Sequence, residues 1–309
     1  LEDMNSTNYT TSDYTSAIEK SRSSVVTVES DGSYYSGIII AKEKETVHIL
    51  TTTKATKNGS PNVVFDSGVS VSSTIVGDDT DSGLAVIQVT TNFEVKPFTF
   101  LDTNVLAQGA NVVVMSGRNL TTGSAVISSG ITSEPGVWRM SSTTTWLSSM
   151  LEMDTPITSI QEGGAVIDLN GSLVGVVANQ PYQGNSRMEY AITANEIKLI
   201  YNALKTNGKV VRGALGVVVR NVSSMLAYEK SAHGISIDMK TGLYVQTVVE
   251  KPETGDGLQE GDIITMIDGI EMSSYQDVLA RLYMHSAGDT VNVSIIRGGE
   301  SKQIGVVLQ

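Results

Sequence analysis

Few side chains in this sequence could act as bases, nucleophiles or metal ligands. The chain has three histidines (His48, His233 and His285) and no cysteine. A thiol nucleophile, a disulfide and a thiolate metal site are therefore ruled out. The histidines are scattered without the spacing of paired ligands, so the sequence predicts neither a metal site nor a cofactor. The remaining nucleophiles are hydroxyl groups, which need a neighbouring base to react.

Composition narrows the range of partners. The chain has 309 residues, a net charge of −12 and 40% hydrophobic residues. No basic stripe of the kind that binds nucleic acid or an anionic membrane surface is present, so neither is an expected partner. No window of 18 apolar residues and no signal peptide is visible. The opening Leu1–Met4 is unlike a natural start, and an excised fragment is expected.

The elements that would position any reactive group are mostly strands. Short apolar runs are bounded by Gly, Asn, Asp or Ser, which is typical of an all-β barrel or sandwich. These runs are 25–28, 37–40, 47–50, 84–87, 112–115 and 174–177. A helix is predicted over Ala194–Thr206, and Asn207-Gly208 ends it. A second unit follows, with strands near 215–219, 243–249, 263–267, 291–296 and 304–308 and a helix over 275–284.

Six runs, in order along the chain, are similar to segments of the HtrA (DegP-like) serine proteases. They resemble the family's strand before the catalytic histidine, its histidine segment, its aspartate segment, the approach to its nucleophile, its bridge into a PDZ domain and a PDZ loop. The runs are Ser36–Ile40, His48–Ala55, Asp81–Ile87, Met153–Ile157 with Gly163-Gly164, Gly208–Val217 and Gly257–Ile264.

The resemblance implies a mainly β chain: a chymotrypsin-like double β-barrel, with six strands in each barrel, followed by a PDZ domain with a five-stranded sheet and helices. We expect a flexible N-terminal segment over 1–22, the barrels over 23–207 and the PDZ domain over 208–309. The family implies a place outside the cytoplasmic membrane and a membrane anchor beyond this sequence. It also implies a homotrimer formed through the N-terminal segment, where Tyr9 and Tyr14 are the aromatic residues.

Matched position by position, the family's catalytic residues are absent. Lys54 stands at the histidine position, Gly83 at the aspartate position and Glu162 at the serine position. Ile160 replaces the glycine that helps to build the oxyanion hole, and its β-branched side chain resists a positive φ. Loss of the nucleophile or base alone costs ~10⁶-fold in rate. The sequence therefore predicts no catalytic site and a degenerate protease.

A relocated nucleophile is the alternative within the enzyme class. Ser159 lies three residues before Glu162, and Lys54 could act as its base if burial lowered the pKa of the ammonium group. A neighbouring Glu162 would favour the charged amine and oppose this. His48 is interpreted as an ordinary strand residue.

Lys54 and Glu162 carry opposite charges at positions that face each other in the parent fold. We therefore predict an ion pair between them, within about 4 Å, that bridges the two barrels. The alternative is two surface residues that changed independently and point apart.

The second unit retains more of the features that the resemblance associates with binding. PDZ domains bind a peptide as an added strand at a sheet edge, and loop N–H groups hold the terminal carboxylate. The resemblance places the loop at Gly213, Ala214, Leu215 and Gly216 and the edge strand at Val217–Val219. Leu215, Leu279 and Leu282 are candidates for the side-chain pocket, although for any one of them plain domain core is the expected role.

Three functions follow from these observations. The leading hypothesis is a pseudoprotease that acts as a scaffold or sensor and binds a protein or peptide at the PDZ groove or in the former substrate cleft. The second is an active endopeptidase with a relocated nucleophile. The third is a holdase chaperone.

Overall fold

The computed structural model describes residues 13–140, 147–177, 188–249, 257–283 and 285–309, without the side chains of 137–140, 147–148 and 276. Contacts divide the chain into two units, Leu1–Lys209 and Val210–Gln309. The boundary lies two residues beyond the position predicted from the Asn207-Gly208 helix stop. Within the described residues, no helix has both the length and the apolar character needed to cross a membrane.

The first described element is helix α1 (Asp13–Ser21), which runs into a 3₁₀ turn at Arg22–Ser24. Its buried face carries Ala17 and Ser21. The Ser21 hydroxyl donates to the Gly171 carbonyl at 3.2 Å, and the Tyr14 hydroxyl donates to Asn111 Oδ1 at 2.7 Å. A short helix around Thr15 to Lys20 agrees with the sequence, whereas the flexibility expected over 1–22 is wrong for residues 13–22, because small buried side chains pack this helix against the fold. Residues 1–12, including Tyr9, lie outside the described residues.

The first sheet has seven strands in the order β5-β4-β1-β2-β3-β7-β6. The strands are β1 (Val25–Ser30), β2 (Ser33–Glu43), β3 (Thr46–Thr52), β4 (Asn62–Val64), β5 (Ser70–Ser72), β6 (Thr74–Asp79) and β7 (Leu84–Thr90), with the short helix α2 (Thr53–Thr56) after β3. Its core contains Val28, Ile49 and Ile87. Six strands were expected here. The additional strand belongs to the β4–β5 hairpin, where Val63 pairs with Val71.

The second barrel closes in the order β10-β13-β12-β11-β8-β9, with the six strands that were predicted. Its strands are β8 (Asn111–Arg118), β9 (Ala125–Met140), β10 (Leu147–Met153), β11 (Ala165–Ile167), β12 (Leu173–Val177) and β13 (Glu189–Thr193). Two 3₁₀ turns, Thr103–Val105 and Ser159–Gln161, belong to this half of the unit. Helix α3 (Ala194–Asn207) follows and ends at Gly208, whose φ of 70° is a left-handed cap.

The second unit is a sheet in the order β14-β15-β16-β18-β19, with the short β17 paired to β16. The elements are β14 (Val217–Asn221), a 3₁₀ turn (Val222–Ser224), α4 (Ala227–Ala232), β15 (Leu243–Val248), β16 (Ile263–Ile267), β17 (Ile270–Glu271), α5 (Tyr275–Leu282), β18 (Thr290–Arg297) and β19 (Glu300–Val307). Its core contains Leu243, Ile264 and Val291. The five-strand path confirms the predicted fold class, and β17 is an addition.

Candidate functional site

The fold brings together the three positions at which a triad was expected. Lys54 lies on α2, and its N–H donates to the Thr52 hydroxyl at 3.1 Å, which caps this short helix. Gly83 lies in the turn between β6 and β7 with a φ of 72°, and its carbonyl accepts from the Thr53 N–H at 2.8 Å. Glu162 directly follows the Ser159–Gln161 turn on the second barrel.

Lys54 and Glu162 form the predicted ion pair. The Nζ of Lys54 lies 2.7 Å from Oε2 of Glu162, and the two side chains are 48% and 21% exposed. The expectation of contact within 4 Å is confirmed, and the alternative of two divergent side chains is wrong. The pair joins the first sheet to the second barrel, at the positions where the sequence comparison expected a base and a nucleophile.

The backbone before Glu162 forms a turn that is held by its own hydrogen bonds. The N–H of Glu162 donates to the Ser159 carbonyl at 3.2 Å, and the N–H of Gln161 donates to the Thr158 carbonyl at 2.9 Å. Among the described non-glycine residues, only Asp31, Lys44 and Asp268 have a positive φ, so Ile160 does not adopt one. The Glu162 N–H that an oxyanion hole would use is therefore directed at a carbonyl of its own turn.

Gln161 fixes this turn in place, a role that the sequence did not reveal. Its side chain is fully buried. Its Nε2 donates to the Val114 carbonyl at 3.3 Å and to the Ser128 hydroxyl at 3.1 Å, while its Oε1 accepts from the Thr158 N–H at 2.9 Å. A buried amide with these partners is costly to displace, because its groups would lose their hydrogen bonds.

Ser36 is a second contributor that sequence reasoning missed. This buried residue of β2 donates its N–H to the Glu162 carbonyl at 3.2 Å and its hydroxyl to the Ile160 carbonyl. The same hydroxyl accepts from the Gly117 N–H at 2.8 Å. The sequence feature that could have indicated this role is a serine placed directly before Gly37 and the apolar run 38–40.

The alternative catalytic groups are not assembled. The Lys54 ammonium bonds to Glu162, and no hydrogen bond joins the exposed Ser159 hydroxyl to another described residue. His48 lies on β3, as interpreted from the sequence, and its Nδ1 is 2.7 Å from the Tyr201 hydroxyl on α3. Among the residues that the structure describes, no group of three or more acidic or histidine side chains could hold a metal ion.

The second unit carries a candidate peptide groove beside β14. This strand lies at one end of the sheet order, and α5 begins next to its end, where the Tyr275 N–H donates to Asn221 Oδ1 at 3.0 Å. Leu215, Val217 and Val219 are partly buried against the core of the unit. Gly216 has a φ of 68°, and its carbonyl accepts from the Val249 N–H at 2.8 Å.

Two expectations for this groove need correction. Ala214 exchanges hydrogen bonds with Gln309 at 2.9 and 3.0 Å, so its N–H is already used. A Cβ at Gly213 would lie 2.6 Å from Leu308 Cδ1, which makes this residue part of the same packing. Leu279 and Leu282 are 0% and 3% exposed, because the apolar face of α5 packs on the sheet. They belong to the domain core rather than to an open pocket.

Two domain families match the chain in the order that the fold shows. The trypsin-like peptidase domain matches residues 35–176. The PDZ domain matches residues 213–308. Together the matches define the class of the protein, a trypsin-like peptidase domain followed by a PDZ domain.

Named relatives are similar to the chain over most of its length. A Lactobacillus helveticus protein named "Serine protease Do-like HtrA" is 27% identical over 89% of this chain and 68% of its own length. A Staphylococcus aureus "Serine protease HtrA-like" is also 27% identical, over 89% of this chain but only 37% of its own length. The chain is thus similar to HtrA-type serine proteases over most of its length.

Solved structures show the same fold. The "HtrA-type protease AlgW with tripeptide" matches with a TM-score of 0.65 and 20% identity, over 96% of both chains. The serine endoprotease from Yersinia pestis matches with a TM-score of 0.59 and 18% identity, over 98% of this chain and 99% of its own.

Proposed function

We propose that this HtrA-like chain is a pseudoprotease: a protein that binds other proteins or peptides but does not cleave them. The observation that carries the proposal is the Lys54–Glu162 ion pair, with Nζ and Oε2 2.7 Å apart at the base and nucleophile positions. A carboxylate that accepts a hydrogen bond from an ammonium group has no proton to give up, and it is a poor nucleophile toward an amide carbonyl.

Two further features support loss of hydrolysis. Gly83 offers no carboxylate at the third triad position. The closed Ser159–Gln161 turn directs the Glu162 N–H to the Ser159 carbonyl. Removal of a nucleophile or base costs ~10⁶-fold in known triads, and loss of one oxyanion donor costs about 10²–10³-fold more. The combined loss brings the reaction close to its uncatalysed rate.

Peptide binding is the activity that the remaining architecture favours. The edge strand β14 and the Leu215–Gly216 segment next to it provide the geometry for strand addition and carboxylate capture. A structure of the similar AlgW protease is described as containing a tripeptide. We propose the PDZ groove as the first binding site and the former substrate cleft as the second. We further propose a place outside the cytoplasmic membrane, an anchor beyond this sequence and a homotrimer.

Proteolysis is tested with the purified chain and fluorescently labelled casein. The wild-type chain and the Ser159→Ala variant should both give only the rate of the buffer control. A fluorophosphonate probe should label neither protein, because the Ser159 hydroxyl has no base as a hydrogen-bond partner among the described residues. Robust cleavage that Ser159→Ala abolishes would overturn the proposal in favour of a relocated nucleophile.

Peptide binding is tested by fluorescence anisotropy with a library of peptides that end in a free carboxylate. Binding should fall at least tenfold when the best peptide is amidated at its C-terminus. Leu215→Glu should weaken binding by a similar factor, because it places a negative charge beside the carboxylate-binding loop. Leu226→Glu is the matched control, since Leu226 is 58% exposed in the same unit. Equal binding of free and amidated peptides would contradict carboxylate capture.

A further inference from the structure

A buried histidine on the first sheet, His48, forms a hydrogen bond with the second half of helix α3. His48 is only 6% exposed. It lies on the interior strand β3, opposite Ala41 of β2 and Gln88 of β7. Its Nδ1 is 2.7 Å from the Tyr201 hydroxyl, and the two rings meet edge to face with centroids 5.7 Å apart.

A second contact lies one helical turn further along α3. Lys205 pairs with Glu43 at the end of β2. A surface cavity of about 530 Å³ is lined by both residues and by Lys44, His48 and Gln88. The imidazole is thus buried in the fold but borders a cavity that is open to solvent, so protons can reach it.

We propose that the His48–Tyr201 contact is a pH-sensitive latch, which holds the second half of α3 on the first sheet at neutral pH and releases it in acid. The proposal is independent of whether the chain cleaves or binds peptides.

The charges around His48 oppose its protonation. Burial lowers the pKa of His48 below its usual value of 6.5, Lys205 on α3 lowers it further, and Glu43 on β2 partly offsets this. Lys44, in the turn between β2 and β3, adds a second cation to the cavity wall. Burial also raises the pKa of Tyr201, so its hydroxyl stays neutral. Gln88 on β7 is uncharged, and its hydrogen bond, like Glu43, acts to raise the pKa of His48. A protonated His48 would stand next to Lys205 while being only 6% exposed.

The direction of the pH effect follows from proton linkage. Because the pKa of His48 is lower in the folded chain than the usual 6.5, the unlatched form binds the proton first as the pH falls. The latch is at full strength above about pH 6.5 and weakens as the pH falls toward the folded pKa. The closing equilibrium should shift by up to about tenfold per pH unit in that window.

Release would have a defined structural result. Helix α3 ends at Asn207 and is followed by Gly208 and Lys209, the last residues of the first unit. Freed turns from Tyr201 onward would therefore lengthen the connection that leads into the second unit.

The test is hydrogen exchange measured by mass spectrometry on the full chain at pH 7.5 and pH 5.0, corrected for the intrinsic pH dependence of exchange. Amides of residues 201–207 should lose at least fivefold protection in acid, while those of β3 keep theirs. His48→Gln should remove this acid effect. Tyr201→Phe keeps the ring but lacks the hydroxyl, and it should lower protection at pH 7.5 and flatten the pH response.

His233→Gln is the matched control. His233 also contacts a tyrosine hydroxyl through Nδ1, at 2.9 Å from Tyr244, but it is exposed and lies in the second unit. This variant should lose protection in α3 just as the wild type does. Corrected protection that is equal at both pH values in the wild type would overturn the latch, and so would an undiminished acid effect in Tyr201→Phe. Neither readout depends on proteolysis or peptide binding.

Discussion

At the scale of single residues, the contact between Lys54 and Glu162 fixes geometry more than it stabilises the fold. Both side chains are partly open to solvent, at 48% and 21%. Water screens such a pair, and holding two long side chains in one arrangement costs entropy. The pair therefore matters mainly through its position, because it occupies the space between the expected base position and the expected nucleophile position.

A double-mutant cycle measures this contribution. Lys54→Met, Glu162→Gln and the double variant should give a coupling energy of about 0–1 kcal/mol in urea unfolding. The similarly exposed Arg118–Asp66 pair, at 36% and 29% exposure in the same unit, is the control and should give a similar value. A coupling above about 2 kcal/mol would instead indicate a desolvated pair that stabilises the fold.

Restoring the triad side chains alone should not restore proteolysis. Lys54→His, Gly83→Asp and Glu162→Ser together leave Ile160 and the closed turn in place. Addition of Ile160→Gly should raise casein cleavage by about 10²-fold over the triple variant, because it permits the positive φ that opens the oxyanion donors. Equal rates for the triple and quadruple variants would show that the turn does not limit the reaction.

At the scale of elements, the first sheet and the second barrel meet at Gly163, where backbone approaches backbone. A Cβ at Gly163 would lie 2.5 Å from the Ser36 carbonyl oxygen on β2, and one at Gly164 would lie 2.3 Å from the Met115 carbonyl oxygen within the second barrel. Gly163 also has a φ of 76°. No other residue meets both demands, so this glycine pair is explained by packing and backbone geometry without any reference to catalysis.

Gly163 is crowded by backbone atoms, whereas Gly68 is not. Substitutions at these two glycines should therefore destabilise the fold to different extents. Gly68→Ala, at a φ of 85° with nothing within 4 Å of the added Cβ, should cost about 1–2 kcal/mol from its backbone conformation alone. Gly163→Ala should cost about 1–3 kcal/mol beyond that, because the methyl group collides with the Ser36 carbonyl. Urea unfolding of both variants provides the comparison. Equal losses would show that the junction relaxes freely.

The sequence predicted those elements whose pattern is local. Ile263–Ile267 is a strand as expected, and Asn207-Gly208 ended α3 because Gly208 adopts the left-handed cap with a φ of 70°. The polar start of β19 at Glu300 was missed, since it is a strand through its pairing with Arg297 on β18. The roles of Ser36 and Gln161 depend on distant partners, such as Ile160 at 124 positions from Ser36 and Ser128 at 33 positions from Gln161. No local pattern specifies such contacts.

At the scale of the whole molecule, the two units have separate cores. Ile49 and Ile87 belong to the first sheet, Val114 and Leu151 to the second barrel, and Leu243 and Ile264 to the second unit. This explains why the family and the domain order could be predicted from the sequence while the partner could not. The core positions form repeated apolar patterns, whereas the proposed peptide recognition would depend on a few side chains beside β14, which no repeated pattern marks.

Residues 210–309 alone should therefore fold cooperatively. A buried ion pair provides a way to identify their transition in the full chain. Asp262 is 1% exposed, and its two oxygens lie 2.7 and 2.8 Å from Nε and Nη2 of Arg297. Arg297→Met leaves that carboxylate buried without its cation, which should cost about 3–5 kcal/mol. The same loss is expected in the fragment and in the second-unit transition of the full chain, with the first unit unchanged.

Circular dichroism and tryptophan fluorescence separate the two transitions, because both tryptophans, Trp138 and Trp146, belong to the first unit. Arg220→Met is the control, since Arg220 pairs with Glu229 at the surface of the second unit, and it should leave the fragment close to wild-type stability. A fragment that stays unfolded, or an Arg297→Met loss that moves the tryptophan signal, would show that the second unit depends on the first for its stability. Peptide binding would then have to be measured on the full chain rather than on the fragment.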